Sequence, residues 1–167
     1  AGQLLKYKGN SRYAILFRRA ASQECLTPEI SMEIEDCRSL LRMASPARRI
    51  EAAKILTWMG PVARSAYGDV IEALKRETSA DVRQELCKAL IEMGPPEEGF
   101  IEQLEPLAKH SDPQVRQIVA TILGTVSADR ALETKVIDIL LNLAVDNDPT
   151  VRATVIKSLA KLLTQNK

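Results

Sequence analysis

The sequence has few of the side chains that build metal sites and nucleophilic sites. Its 167 residues include one histidine and three cysteines, and aromatic residues make up only 4%. One histidine is too few for a histidine-based metal cluster or for a zinc site that combines cysteine and histidine. The three cysteines contain no CxxC pair and form no disulfide framework, which favours a reducing compartment such as the cytoplasm. The scarcity of aromatic residues predicts an aliphatic core.

The sequence also lacks an excess of charge and long apolar runs. Its 23 Lys+Arg residues balance 22 Asp+Glu residues, for a formal net charge of +1, whereas dedicated nucleic-acid binders are usually strongly basic. No apolar run approaches the roughly 18 residues of a membrane span, and no signal peptide is recognisable. Gly-rich phosphate loops, nucleophile elbows and HExxH motifs are missing too. We therefore expect a non-enzymatic protein with no cofactor, no metal and no membrane span.

What the sequence does contain is an internal repeat. Four segments align without gaps, and each starts with Ser or Asp and ends with Arg: 45–49, 79–83, 112–116 and 148–152. The closing arginines are 34, 33 and 36 residues apart, and a leucine follows each of them after seven residues: Leu56, Leu90, Leu123 and Leu159. Further apolar residues fall three and ten positions after the arginine, on one stripe of a 3.6-residue helix. The pattern predicts four amphipathic helices.

The first residue of each segment is typical of a helix start. Ser45, Ser79, Asp112 and Asp148 can each accept a hydrogen bond from the free amides of a first helical turn. Three of the four are followed by proline, which suits the first helical position. Between these helices lies a second set with its own apolar periodicity, and no stretch alternates as a strand does. We therefore predict four helical hairpins, preceded by one more helix near residues 10–21.

These hairpins are expected to stack into one domain. A single hairpin buries too little apolar surface to offset its conformational entropy, whereas stacking shares each apolar face with the next repeat. We predict an all-α chain that forms a right-handed α–α superhelix, or α-solenoid, over residues 1–167. The predicted repeats are about 28–60, 61–95, 96–127 and 128–164, after a basic N-terminal cap segment at 1–27.

The repeated core resembles the HEAT-repeat family. In each copy, D/S-P/A-x-V-R or a close variant is followed by a leucine seven residues after the arginine, within a unit of about 34 residues. The repeat consensus is similar to that of the short HEAT-like repeats of the phycobilin-lyase type, and the resemblance covers residues 28–164. In that family the Asp and Arg at these places usually form a ladder between neighbouring repeats. The resemblance therefore implies structural ladder roles for Arg83, Asp112, Arg116, Asp148 and Arg152.

The resemblance also implies where a partner would bind, because the second helices of HEAT repeats line the concave surface. The candidate partner-binding residues on these helices are Lys54, Trp58, Lys88, Ile91, Gln117, Thr121, Lys157 and Lys161. Trp58, the only tryptophan, lies off the main core stripe, and tryptophan is enriched at binding hot spots although it also fills cores. A solvated face of mixed charge is the alternative, since Glu51 and Glu85 lie three residues before two of the lysines.

Three further features receive structural interpretations. His110 is interpreted as a solvated turn residue before Asp112. Asp146 and Asp148 are interpreted as a turn with a helix cap, because the remaining ligand spacing of a cation loop is missing. The cysteines fall on apolar helical stripes, so we expect them to be small core residues and not reactive thiols.

The functional hypothesis follows from the array. HEAT arrays serve mostly as binding platforms for unrelated partners, so we expect a protein-interaction or scaffold module that binds a partner peptide or helix on its concave face. A nucleic-acid-associated HEAT protein is the alternative, because residues 1–22 carry five basic and no acidic side chains. An enzyme, either bilin-lyase-like or of the DNA-repair HEAT type, is favoured less, since no acid–base pair stands out from the repeated caps.

Overall fold

The computed structural model describes residues 28–96, 98–126 and 130–165, and the regular structure in them is helical. The α-helices, in chain order, are α1 (Pro28–Leu41), α2 (Pro46–Met59), α3 (Tyr67–Arg76), α4 (Ala80–Glu92), α5 (Glu98–Ala108), α6 (Pro113–Leu123), α7 (Arg130–Ala144) and α8 (Pro149–Gln165). A 3-10 helix, Gly60–Ala66, joins α2 to α3. The described ranges contain no strand, so the predicted all-α class is confirmed. The helix predicted near residues 10–21 and the cap segment 1–27 lie outside the described residues.

The chain divides into two compact units, Ala1–Met93 and Gly94–Lys167. In the first unit α1 packs on α2, α3 packs on α4, and the two second helices, α2 and α4, make the most extensive contact. In the second unit α5 packs on α6, α7 packs on α8, and α6 contacts α8 most extensively. Each unit is therefore a pair of stacked hairpins joined mainly through their second helices. A single domain over 1–167, with the repeat boundaries given above, stays a prediction.

The repeated stripe forms the core of these units. Leu56, Leu90 and Leu123 are fully buried, while Leu159, on the last helix, is only half-buried. The thiols of Cys37 and Cys87 are also buried, and burial is the main cause that raises the pKa of Cys37 to about 12. A thiol with such a pKa stays protonated near neutral pH and is a poor nucleophile. The interpretation of these two cysteines as core residues is confirmed, and Cys25 lies outside the described residues.

The predicted helix starts agree with the structure in position, but the caps differ in chemistry. A carboxylate oxygen of Asp112 accepts a hydrogen bond from the Gln114 amide at 2.9 Å, and Asp148 accepts one from the Thr150 amide at 2.8 Å. Ser45 and Ser79 have the extended backbone of a cap, yet neither side chain makes a capping hydrogen bond. Expecting all four side chains to cap was therefore wrong for the two serines.

In the second unit, α8 approaches the chain closely at Gly124, just after α6. A Cβ atom built on Gly124 would lie 2.6 Å from the Cβ of Ser158 on α8 and 2.8 Å from its Cα. Ser158 is buried, and its hydroxyl donates a hydrogen bond to the Ala120 carbonyl at 2.7 Å. The serine thereby satisfies its own polar group while it holds α8 against the end of α6.

Replacing Gly124 with alanine tests this approach. We expect Gly124→Ala to lower the free energy of unfolding by about 1–3 kcal/mol, because the new methyl group overlaps both the side chain and the backbone of Ser158. Gly99 in α5 is the matched control, since a Cβ there would meet no atom within 4 Å. Gly99→Ala should leave stability unchanged or raise it by about 0.5–1 kcal/mol. Urea unfolding followed by circular dichroism measures both, and equal effects would contradict the proposed close contact.

Candidate partner-binding surface

The second helices of the first unit expose two large apolar side chains. Trp58 on α2 is 39% exposed and Ile91 on α4 is 40% exposed, although Met59 and Leu90, their sequence neighbours, are buried. Lys54 precedes Trp58 by four residues and Lys88 precedes Ile91 by three, so each lysine lies on the same helix face as the apolar residue. Both lysines are exposed. We call these four residues, Lys54, Trp58, Lys88 and Ile91, the first-unit surface.

The charges on this surface are only partly neutralised. Lys88 donates a hydrogen bond to Glu85 at 2.8 Å, as the spacing of three residues suggested. Glu51 does not pair with Lys54 but instead accepts a hydrogen bond from Arg48 at 2.9 Å. Within the residues that the structure describes, no carboxylate lies within 4.0 Å of the Lys54 ammonium group. The first-unit surface therefore keeps a positive charge next to the exposed tryptophan.

In the second unit, half of the candidate residues are engaged in contacts between helices or within one helix. Gln117 is half-buried, and its amide donates a hydrogen bond to the Thr154 hydroxyl at 3.2 Å, which links α6 to α8. Thr121 is also half-buried and donates to the Gln117 carbonyl at 3.0 Å. Lys157 and Lys161 on α8 are exposed. The structure thus leaves the two lysines accessible to a partner and gives Gln117 a packing contact, while a binding role for all of them stays a prediction.

Next to this surface, an arginine of α2 joins the two hairpins of the first unit. The guanidinium of Arg49 donates two hydrogen bonds to the carboxylate of Glu77, from Nε at 2.7 Å and from Nη2 at 3.0 Å. Its remaining nitrogen, Nη1, donates to the carbonyls of Met43 and Ala44 at 2.8 and 2.7 Å. One side chain therefore ties its own turn to the turn of the following hairpin, with the fork geometry that arginine offers to a carboxylate.

The second unit repeats this contact. Arg116 on α6 donates to Asp146 from Nε at 2.7 Å and from Nη2 at 2.8 Å. Its Nη1 donates to the carbonyls of His110 and Ser111 at 2.8 and 3.1 Å. Asp146, like Glu77 in the first unit, lies two residues before the first residue of the next repeated segment. The same contact therefore occurs between the two hairpins of each unit.

Residues 67–166, which include the second unit and the end of the first, also match a known family. A family model described as HEAT repeats matches the chain twice, over residues 67–134 and 101–166, which together make up more than half of its length. The chain belongs to the HEAT-repeat family. The resemblance drawn from the sequence is thereby confirmed, and the arginine contacts described above are contacts between consecutive HEAT repeats of one unit.

A solved structure shows the same fold. It is the crystal structure of an engineered protein from the Northeast Structural Genomics Consortium, which matches with a TM-score of 0.59 and 20% identity. The match covers 77% of this chain and 62% of that chain, so this chain spans less than two thirds of the engineered protein. At this identity the likeness shows the fold alone, and the predicted α-solenoid class is confirmed. None of the curated proteins matches the chain at a significant level.

Within these HEAT repeats, the carboxylates of the ladder differ from those expected. Arg116 pairs with Asp146, whereas Asp148, two residues later, accepts amide hydrogen bonds at the start of α8. Asp112 likewise accepts an amide hydrogen bond at the start of α6. The hydrogen-bonded bridge of Arg116 therefore goes to Asp146, while the charges of Asp148 and Asp112 also act on this guanidinium and help to raise its pKa.

The bridging carboxylates also organise the turns in which they lie. Glu77 accepts a hydrogen bond from the Ser79 amide at 2.9 Å, and Asp146 accepts one from the Asp148 amide at 2.8 Å. Sequence reasoning missed Glu77 as a site residue and placed Asp146 only in a turn. The one signal that could have found both is a carboxylate two residues before the first residue of a repeated segment, which two of the four repeats carry.

The third HEAT repeat carries His110 at this position. The Asp112 amide donates to His110 Nδ1 at 3.0 Å, the same turn contact that the two carboxylates make. His110 is half-buried, so the structure gives it a defined hydrogen bond in place of the fully solvated turn position that was expected. Its ring nitrogen replaces a carboxylate oxygen as the acceptor for the turn amide.

Arg83 and Arg152 make the contacts to their own turns. Arg83 donates to the Thr78 carbonyl at 2.9 Å, and Arg152 donates to the carbonyls of Asp146 and Asn147 at 2.7 and 3.0 Å. Both side chains belong to half-buried residues. The structure therefore gives all four arginines of the series a turn-stabilising contact, and Arg49 and Arg116 a bridge to the following repeat as well.

The bridges change the acidity of their carboxylates. Burial by itself raises the pKa of Glu77, but the hydrogen bonds from Arg49 and from two backbone amides outweigh burial and leave this pKa below its usual range. The hydrogen bond from Arg116 lowers the pKa of Asp146. A lowered pKa in the folded state means that each carboxylate stabilises the fold above the pKa of the unfolded chain. This stabilisation is lost as the pH falls through the lowered pKa.

Substituting Glu77 tests the bridge. We expect Glu77→Gln to lower the free energy of unfolding at pH 7 by about 2–4 kcal/mol, because it removes the charge that pairs with the mostly buried Arg49. Glu72→Gln is the matched control, since Glu72 pairs with Lys75 on the exposed side of α3 and should change stability by about 0.5 kcal/mol or less.

The pH dependence of the stability loss caused by Glu77→Gln distinguishes a charged bridge from a neutral contact. The difference between the wild-type chain and Glu77→Gln should be full at pH 7 and should shrink as the pH falls through the lowered pKa of Glu77. Urea unfolding at a series of pH values measures it. A difference that stays constant down to pH 2 would contradict a charged bridge.

Proposed function

We propose that this HEAT-repeat protein is a non-enzymatic interaction module that binds a peptide or helix of a protein partner. The observation that carries the proposal is the exposure of two large apolar side chains, Trp58 and Ile91, on two neighbouring second helices. HEAT repeats generally serve as interaction platforms, and exposed apolar side chains on the second helices support such a role for this chain.

The chemistry of the first-unit surface favours an amphipathic partner with acidic residues. An exposed tryptophan and isoleucine provide two apolar anchors, and tryptophan is among the residues that contribute most to interface energies. Lys54 and Lys88 lie one helical turn before these anchors and supply positive charge at the edge. Such charges mainly increase the rate and the specificity of association with an acidic partner. The expected partner is a helix or extended segment with apolar anchors flanked by Asp or Glu.

The nucleic-acid alternative takes its support from the N-terminal segment. It depends on the five basic side chains of residues 1–22, which lie outside the described residues, and it stays a prediction. In the part of the chain that the structure describes, no helix is both long and apolar enough to cross a membrane. No group of three or more His, Cys, Asp or Glu side chains is arranged there to hold a metal ion.

Crosslinking followed by affinity measurement tests the proposal. A photoreactive amino acid at position 58 should capture one discrete protein from the native lysate, whereas the same amino acid at Met32, which is more exposed but lies on α1, should not. With the captured partner purified, Trp58→Ala should weaken binding about 30-fold or more, as expected of a hot-spot residue.

The charge of the same surface is tested by a second pair of variants. Lys88→Glu should weaken binding about three- to tenfold at low salt and less at high salt, because the lysine is at the edge of the contact. Arg76→Glu, the same charge reversal on the exposed side of α3, is the control and should leave affinity unchanged. Unchanged circular dichroism would show that the variants fold, and unchanged affinity for both Trp58→Ala and Lys88→Glu would contradict the proposed surface.

A further inference from the structure

The first helices of the first unit, α1 and α3, border a small polar cleft with a volume of about 210 Å³. Among the described residues that line it, Leu41 is the one apolar side chain. The charged lining residues come from α1, from the residue that follows it and from α3: Arg38, Arg42, Asp69, Glu72 and Arg76. We call these six residues the α1–α3 cleft. Three of them are arginines, so the cleft is basic although the chain as a whole is nearly neutral.

One carboxylate holds two of these arginines in place. Asp69 Oδ1 accepts a hydrogen bond from Arg42 Nη2 at 2.9 Å, and Asp69 Oδ2 lies 3.1 Å from Arg38 Nε. Arg38 also donates to the carbonyl of Ser65 and to the carboxylate of Glu35. Arg38 is thus committed to contacts within the first unit, and it supplies the cleft with a fixed positive charge.

The other two arginines keep donors that a ligand can use. Arg42 is exposed and gives one nitrogen, Nη2, to Asp69. Within the part of the chain that the structure describes, no carboxylate lies within 4.0 Å of the Arg76 guanidinium, because Glu72 pairs with Lys75 instead. Arg42 directly follows α1 and Arg76 ends α3. Two successive hairpins therefore each bring one guanidinium group to the cleft.

The carboxylates around the cleft do not neutralise it. Glu35 and Glu72 are 66% and 58% exposed, so water and salt screen their charges. Asp69, by contrast, is mostly buried, with 24% of its side chain exposed. The inner part of the cleft therefore combines one shielded carboxylate with three guanidinium groups, and this excess favours an anionic ligand.

Packing of the hairpins does not require these three arginines. Counted from the residue two places before each repeated segment, the second unit has other residues at the positions of Arg38, Arg42 and Arg76. They are Glu105, Lys109 and Val145. The second unit forms the same pair of stacked hairpins with one basic side chain at these positions. The arginines of the first unit therefore need an explanation other than packing.

We propose that the α1–α3 cleft binds the phosphoryl group of a phosphate monoester on a short aliphatic stem, as in a phosphoserine side chain. Arg42 and Arg76 donate hydrogen bonds to the phosphoryl oxygens, and Arg38 contributes its fixed charge. A phosphate monoester carries a charge of about −1.5 to −2 at pH 7 and has three acceptor oxygens. Two forked guanidinium groups can share these oxygens, whereas a carboxylate offers one charge and two oxygens.

The size and lining of the cleft limit what the phosphoryl group can be attached to. A volume of about 210 Å³ lies below the roughly 300–1,000 Å³ of pockets that hold larger organic ligands. Among the lining residues that the structure describes, none is aromatic, so a nucleobase has no side chain on which to stack. The cleft therefore fits a phosphoryl group with a small stem better than it fits a nucleotide.

The test titrates the full chain with a short glycine peptide that has one central phosphoserine. Nuclear magnetic resonance of the arginine Nε–H groups should show saturable shifts for Arg42 and Arg76. The phosphoserine peptide should bind about tenfold or more tightly than the same peptide with serine, and more tightly than the same peptide with aspartate. Arg76→Gln and Arg42→Gln should each weaken binding about tenfold or more, because each removes one of the two donor groups. Arg76→Lys should weaken it less, since lysine keeps the charge but loses the fork.

Two control variants separate the cleft from general electrostatic attraction and from the first-unit surface. Arg48→Gln removes an exposed arginine of α2 that pairs with Glu51, and it should leave binding of the phosphoserine peptide unchanged. Trp58→Ala should leave it unchanged as well, since the first-unit surface lies on the second helices. The phosphoryl site does not depend on the partner proposed for that surface, so Arg76→Glu is a control for the partner and a loss variant for the phosphoserine peptide.

The outcomes are distinguishable. Binding of the phosphoserine peptide that is no tighter than that of the serine or aspartate peptide would overturn the proposal, as would equal losses for Arg76→Gln and Arg48→Gln. Unchanged circular dichroism would show that these variants, whose substituted side chains are exposed, still fold. Competition with inorganic phosphate identifies the source of the phosphoryl group: a peptide that binds about tenfold more tightly than inorganic phosphate indicates a phosphorylated side chain, and equal affinity indicates free phosphate. Either result upholds the site.

Discussion

The packing of the second helix of one hairpin on the second helix of the next is the contact on which each unit depends. A lone hairpin cannot bury enough apolar surface to fold, so α2 and α4, or α6 and α8, must share their leucine stripes. The arginine bridges act on the same junctions from the polar side: Arg49 and Arg116 each join two turns with one guanidinium. Apolar burial makes the contact stable, and the bridge determines how one hairpin is aligned on the next.

The amino-acid pattern predicted the helices and most of the core, because both follow from local spacing. Leu56, Leu90 and Leu123 recur at one offset from the arginines and are all buried. The bridging acids were not predictable in the same way, since the position two residues before the cap holds Met43, Glu77, His110 and Asp146 in turn. Their role depends on a turn conformation that brings amide groups and a guanidinium to one side chain, which no spacing rule encodes.

The candidate binding residues also divide into those whose position follows from helical spacing and those whose contacts depend on another helix. The pattern correctly placed Lys88 on the outside of its helix, because exposure there follows from the helical period, but it left Trp58 open between core and surface. It could not tell that Gln117 is engaged by Thr154, since that depends on which side chain of another helix lies opposite. Nor could it tell that Ile156 is exposed, because Ala53, Cys87 and Ala120 at the same position of the earlier helices are buried.

The central claim is that the two hairpins of a unit share one apolar interface and fold together. Native-state hydrogen exchange of the first unit tests this claim most directly. The account predicts that amides of α2 and α4 exchange with the same opening free energy, and that weakening the seam by Leu56→Ala lowers the protection of both helices equally. Protection of α4 that persists while α2 has become exchangeable would show that the hairpins are stable separately, and it would contradict the account.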